Sequence, residues 1–233
     1  MRTTRTILAG CALAAAFAAS AQVMPPPQNV LQLQTTGNVE VQQDLLQMRL
    51  TTTKEGSDPT AVQNQLKAAL DAALTEARKG AQPEQMDVRT GNFSIFPRNN
   101  REGRITGWAG TTELVLEGRD FARITQTAAR IQTMTLGAVS FGLSREQRAK
   151  VEGEAQSQAI ERFKAKSAEL AKAFGFTGYT LREVSVNANE PGFMPRMRMA
   201  AEAAPMSSPS APVPVEPGRS TVTVTVSGSV QLR

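Results

Sequence analysis

Met194, Met197 and Met199 are crowded into Met194-Pro195-Arg196-Met197-Arg198-Met199, with Met206 a little further on. Clustered thioethers are soft ligands that suit Cu(I). Arg196 and Arg198 oppose that use, because they repel a cation. A flexible loop carrying oxidisable methionines accounts for the same residues without a metal. A second cluster is basic: Arg98, Arg101 and Arg104 punctuate the turn-rich stretch Arg98-Asn99-Asn100-Arg101-Glu102-Gly103. It has the composition to touch an anionic surface or another subunit, and equally to be solvated loop charge.

Most other chemistry is excluded by what the chain lacks. It has no histidine, and its single cysteine is Cys11. Ser-His-Asp triads and His/Cys zinc sites have no residues to be built from. Neither G-x-x-x-x-G-K-[ST] nor a G-x-G-x-x-G after a strand occurs, so no phosphate loop is encoded. Ser-Lys or paired-carboxylate catalysis is left open by composition, but the acids fall mostly on helix faces that water covers. No catalytic residue and no cofactor site is singled out.

The N-terminus is a targeting segment. Arg2 and Arg5 form a basic start, Ile7 to Ala19 an apolar run, and Ala19-Ser20-Ala21 an A-x-A cleavage site. Leu8-Ala9-Gly10-Cys11 imitates a lipoprotein box, but cutting there leaves only Ile7, Leu8 and Ala9 as the apolar core, so cleavage after Ala21 is expected. The product then starts at Gln22, is 212 residues long (233 − 21) and contains no cysteine. Its balance falls from 26 to 24 basic residues against 21 acidic, a net charge of +3. That charge is too dispersed for a nucleic-acid footprint. No stretch after the leader has membrane-spanning length, so an exported periplasmic protein is expected, stabilised by burial without disulfides.

These side chains must be positioned by α and β elements that the pattern marks clearly. Residues 22–29 hold Pro25-Pro26-Pro27, a stiff leader. Leu31 to Gln34, and Val39 to Val41 after Gly37, alternate as strands; the parity of the apolar set then switches near Asp44-Leu45, which requires a bulge or break. Asp58-Pro59 starts a helix with stripe Val62, Leu66, Ala69, Leu70, Ala73 and Ala77, and Gly80 reads as its stop. Met86 to Pro97 and Arg104 to Leu116 read as paired strands around the basic turn. Gly118-Arg119-Asp120 introduces a second helix, with stripe Phe121, Ile124, Ala128, Ile131 and Met134, and Val139, Phe141 and Leu143 mark a short strand. The long stretch Ser144 to Phe174 follows, with Ser144 and Gln147 in capping-box relation and Gly175 as the residue past its end. Tyr179 to Val186 alternates again. Residues 187–217 then hold seven prolines and four methionines and read as a long mobile loop. Val222, Val224, Val226, Val230 and Leu232 mark a last strand, apolar on one face and hydroxyl-bearing on the other.

Written as elements, residues 39–143 give β-α-β-β-α-β, the split-βαβ order. The fold class is α+β: antiparallel sheet with that block, then a long helix and C-terminal strands. The last strand needs a partner, and Leu31 to Val41 is the candidate. That pairing makes residues 30–233 one unit. Ala155, Ala159, Ala168 and Ala171 on the long helix are small enough for close packing on a sheet or a neighbouring copy.

The order of these parts resembles the SIMPL-domain family of exported bacterial proteins, which includes periplasmic immunogenic proteins and YggE-like proteins. The resemblance is carried by the switch at Asp44, the helix from Asp58, Met86-Asp87-Val88-Arg89-Thr90 and Ile105-Thr106-Gly107-Trp108. It continues in the alanine-rich segment Ala159 to Gly175 and in Glu216-Pro217-Gly218 before the last strand. Trp108 stands where tyrosine is common, and Gln43 where a proline often precedes Asp44. The resemblance implies an α+β periplasmic protein linked to oxidative-stress tolerance, a homo-oligomer in some members, and no enzyme.

Overall fold

The parity switch at Asp44-Leu45 is a change of sheet. In the computed structural model, which describes residues 28–189 and 212–233, β1 (Val30–Gln42) ends there and β2 (Leu45–Gly56) begins a second sheet. The chain continues through α1 (Pro59–Gly80), β3 (Asp87–Asn99), β4 (Ile105–Gly118), α2 (Phe121–Arg130) and β5 (Thr135–Gly142). Then come α3 (Arg145–Ala173), β6 (Tyr179–Asn189) and β7 (Arg219–Leu232). The fold is α+β, with β3-β4-β2-β5 in one antiparallel sheet and β1-β7-β6 in the other.

The split-βαβ block is present but begins at β2. Val39-Glu40-Val41 instead continues β1 without a break and pairs with Val222, Thr221 and Ser220. The two ends of the domain therefore lie side by side, with β7 central. Along β7 the valines at 222, 224, 226 and 230 are buried, while the hydroxyls between them stay partly wet. That is the expected result for a strand with one covered face.

Each sheet is covered on one face by its own helices. Leu46, Met48 and Leu50 of β2 join Leu114 and Leu116 of β4 beneath Ala73 and Ala77 of α1 and Ile124 of α2. Asp58 Oδ2 accepts from the Ala61 N–H at 2.7 Å, so the expected N-cap forms, and Asp120 Oδ1 caps α2 by accepting from the Arg123 N–H at 2.9 Å. Gly80 does not stop α1 by a left-handed turn. It is buried against α2, where an added Cβ would meet Thr127 Oγ1 at 2.6 Å. Ile131 and Met134 follow the end of α2 but remain in the core.

Helix α3 lies on the other sheet. Ser144 Oγ accepts from the Gln147 N–H at 3.2 Å at its start. At its end Gly175 takes φ +83°, and the N–H groups of Gly175 and Phe176 return to Lys172 O and Ala171 O, a Schellman closure. Buried Val151, Ala155, Ala159, Phe163 and Ala171 form its inner stripe. The closest approach is at Gly37, where an added Cβ would lie 1.9 Å from Ala155 O. Glycine is required there because strand and helix backbones touch.

The two sheets are tied together around Asp44. Asp44 accepts from Ser144 N–H at 2.7 Å and Ser144 Oγ–H at 2.6 Å, with Arg119 Nε at 3.5 Å. Beside it, the Gln43 N–H donates to Gly218 O at 3.0 Å and Gln43 Nε2 to Ser220 Oγ at 3.0 Å. The same short segment thus ties the β1–β2 crossing to the start of α3 and to the approach of β7. Of the expected loop over 187–217, Asn187 to Asn189 belong instead to β6 and pair with Thr225 to Thr223; residues 212–218 are irregular, with Val215 packed on the first core.

Candidate functional surfaces

The basic turn stands at the end of the β3–β4 hairpin. Asn100 builds it: its Oδ1 accepts from the N–H groups of Glu102 at 3.0 Å and Arg104 at 2.9 Å, and Gly103 takes φ +80°. Arg98 pairs with Glu55 and Arg104 with Glu102, both in the open, while Arg101 extends from the loop tip. The hairpin therefore gathers the three arginines, with two carboxylates already beside them.

Of the four alanines of α3 expected to pack on a sheet or a neighbouring copy, three pack on a sheet. Ala155, Ala159 and Ala171 are fully buried against the chain's own sheet, so they hold α3 in place and present nothing outward. Ala168 is half-buried. The periodicity located the stripe correctly, but which surface meets it is a tertiary matter. Met194, Met197 and Met199 lie outside the described residues.

Three surfaces carry no motif and escape a reading by pattern alone. The first is the outer margin of β6. Leu181, Val184 and Val186 pair with Val230, Gly228 and Val226, so they share the face that α3 covers. Yet α3 leans over β1, where Thr35 Oγ1 donates to Ala159 O at 2.9 Å and Arg162 Nη1 to Thr36 O at 2.6 Å. Leu181 is left 55 % exposed and its two valine neighbours more than 40 %. Among the described residues, no strand pairs with the outer edge of β6. The second surface is the opposite, wet face of the same sheet. Gln32, Gln34, Ser227, Ser229, Ser185 and Glu183 line a trough of about 440 Å³ there, neutral except for one carboxylate. The third is the apolar side of the hairpin, formed by Phe93, Ile95, Pro97, Ile105 and Trp108.

The open face of the four-stranded sheet is occupied from within. Arg49 faces Glu113 at 3.9 Å, Arg89 faces Glu117 at 3.4 Å, and Gln47 Nε2 donates to Glu117. Two carboxyls are held below their ordinary range, and both belong to helices. Glu76 on α1 is lowered by the hydrogen bond from Lys79, with Arg130 assisting; Asp120 is lowered mainly by the Arg123 backbone N–H that it caps. Both shifts stabilise the charged form and suit structural ion pairs and caps better than proton transfer. Among the described residues no group of three or more His, Cys, Asp or Glu side chains is placed to hold a metal. None of the described helices is long and apolar enough to cross a membrane.

Two antiparallel sheets, one carrying a split-βαβ block and the other joining the ends of the domain under a single long helix, define an α+β protein of a distinct two-sheet type. The profile of the SIMPL family, described as a protein of unknown function (DUF541), matches residues 31–230. That span is 200 of the 233 residues (230 − 31 + 1), and the chain belongs to the SIMPL family. A comparison with curated proteins finds no match.

Proposed function

We propose that this SIMPL-domain protein is exported to the periplasm and works there as a non-enzymatic assembly of identical copies, in the envelope's tolerance of oxidative stress. Export is supported by the leader ending at Ala19-Ser20-Ala21 and by a processed chain without cysteine. The stress role follows from the family resemblance alone. The non-enzymatic reading is supported by where the perturbed carboxyls lie, on helix surfaces and engaged by arginine and lysine.

The observation that carries the assembly is the margin of β6. An unpaired strand edge beside an apolar stripe is a template for another strand, and soluble proteins ordinarily blunt such edges with lysine, proline or a covering loop. Leu181, Val184 and Val186 offer the reverse, and a second β6 laid antiparallel satisfies the backbone groups and buries the stripe together. The test is light scattering on the chain from Gln22 onward, beside Val184→Lys and Val186→Lys. We expect a multimer that the two lysines reduce to monomer while circular dichroism is unchanged. A wild-type monomer at all concentrations refutes the assembly, and recovery of the expressed protein from the cytosolic fraction refutes export.

A further inference from the structure

We propose that the outer half of the β3–β4 hairpin is a docking surface for an anionic phospholipid bilayer. Its setting rests on the envelope-located reading above; its physical argument does not. The register pairs Phe93 with Thr112, Ile95 with Gly110, Pro97 with Trp108 and Asn99 with Ile105. Phe93, Ile95, Pro97, Trp108 and Ile105 therefore share the face that α1 and α2 cover further along the sheet. Helix α1 covers this face over β4 and β2: an added Cβ at Gly110 would meet Leu66 Cδ1 at 2.7 Å, and one at Gly56, opposite Trp108, would meet Val62 Cγ2 at 3.1 Å. Toward the tip and along the edge strand β3 the face lies open: Ile105 is 58 % exposed, Phe93 42 %, and Pro97 is exposed as well, while Ile95 and Trp108 are half-buried. Because β3 is an edge strand, no strand among the described residues pairs with it on the outer side.

An apolar face alone names no partner, but its rim does. Lys54, Arg101 and Arg104 stand against Glu102, a local balance of +2 (3 − 1), while Arg98 and Glu55 pair on the reverse face with Phe96. The pair Arg104–Glu102 is solvent-exposed at both partners, so it holds the guanidinium group weakly. Arginine forks match phosphate oxygens, and long cationic side chains reach headgroups while apolar neighbours enter the acyl boundary. An apolar patch with a cationic rim is the pattern of interfacial binding to anionic lipid. The hairpin lies side-on in this arrangement, with Phe93, Pro97 and Ile105 against the lipid. Phe96, which pairs with Ala109 on the opposite face, points away. One hairpin binds weakly; an assembly presenting several binds through avidity.

Trp108 is the only tryptophan in the chain, so its emission reports on this patch directly. The experiment adds the chain from Gln22 onward to phosphatidylglycerol or phosphatidylcholine vesicles, following Trp108 emission and co-flotation. Phosphatidylglycerol should give a blue shift, quenching by brominated lipid, and binding that weakens with salt; phosphatidylcholine should give none of the three. Phe93→Ser with Ile105→Ser should weaken binding about tenfold. Arg101→Glu with Arg104→Glu should weaken it at least as much, and Phe96→Ser should leave it within about twofold. Thermal melts of each variant separate lost binding from lost fold, and the wild-type contrast between the two lipids stands without them. Equal binding to both lipids, no flotation with phosphatidylglycerol, or indifference of the folded double variants overturns the proposal. Mass without lipid and cell fractionation test assembly and export separately, so each reading fails on its own measurement.

Discussion

Replacing Gly37 by alanine tests the packing that the three-stranded sheet depends on. The added Cβ would lie 1.9 Å from Ala155 O and 2.8 Å from Ala159 N, both backbone atoms in mid-helix. No side chain can rotate away, so the helix itself must move. Real Cβ contacts do not fall below 3.0 Å, which sets the retreat at 1.1 Å or more (3.0 − 1.9). A radial gap of about 0.5–1 Å already forfeits roughly a quarter to a half of each dispersion contact, and the whole inner stripe of α3 shares it. The same movement stretches Thr35 Oγ1–Ala159 O and Arg162 Nη1–Thr36 O, now 2.9 and 2.6 Å. Each is worth about 1 kcal/mol. With about 1–3 kcal/mol for the overpacking itself, the expected loss is roughly 3–5 kcal/mol. That is a large share of the about 5–15 kcal/mol that holds an ordinary domain together. The assay is equilibrium urea unfolding followed by circular dichroism. Gly153→Ala is the control, since it lies in the same helix with nothing within 4 Å of its added Cβ. It should gain about 0.5–1 kcal/mol from helix propensity. A Gly37→Ala loss under about 1 kcal/mol, or an equal loss at Gly153, would show that overpacking on α3 is not what glycine avoids.

Two further substitutions test other parts of the frame. Asp44→Ala removes the acceptor for both Ser144 donors and should cost about 2–4 kcal/mol by urea unfolding, with faster hydrogen exchange at the Ser144 N–H; unchanged exchange there would refute the clasp. Thr112 is fully buried and its hydroxyl has no hydrogen-bond partner among the described residues. Thr112→Val should therefore raise stability by about 1 kcal/mol while Thr112→Ser does not, and a loss with valine would mean that the hydroxyl is satisfied after all.

Much of the fold was legible because its signals are local. The N-caps at Asp58, Asp120 and Ser144 follow from a short acceptor side chain reaching back to nearby N–H groups, which needs no knowledge of distant chain. The alternation in β7 fixed a one-sided strand, and the parity switch marked a bulge or break near Asp44, which the fold shows to be a change of sheet. Gly80 was legible as the end of α1, but glycine at a helix end can serve a left-handed turn or a close neighbour, and only the position of α2 shows that it serves the second. The alanines of α3 were found as a stripe for the same kind of reason: small residues announce a close approach without naming what approaches.

The candidate surfaces were less legible. Arg98, Arg101 and Arg104 were visible as a cluster because a turn keeps neighbours in sequence close in space. Their apolar companions Phe93 and Ile105 were not tied to them, since that face emerges only from the β3–β4 register and from where α1 stops. Likewise Val184 and Val186 alternate as any half-buried strand does, and their exposure depends on α3 leaning toward β1.

By itself the sequence determined the element order, the caps, the inner faces and the charge of the hairpin tip, because each is set by spacing along one stretch of chain. Tertiary structure decided that β1 leaves the split-βαβ block, that three of the four alanines are consumed within the chain, and which apolar faces remain uncovered. Those outcomes turn on what packs against a face once it exists. A period of 2 or 3.6 residues identifies a face but not its neighbour.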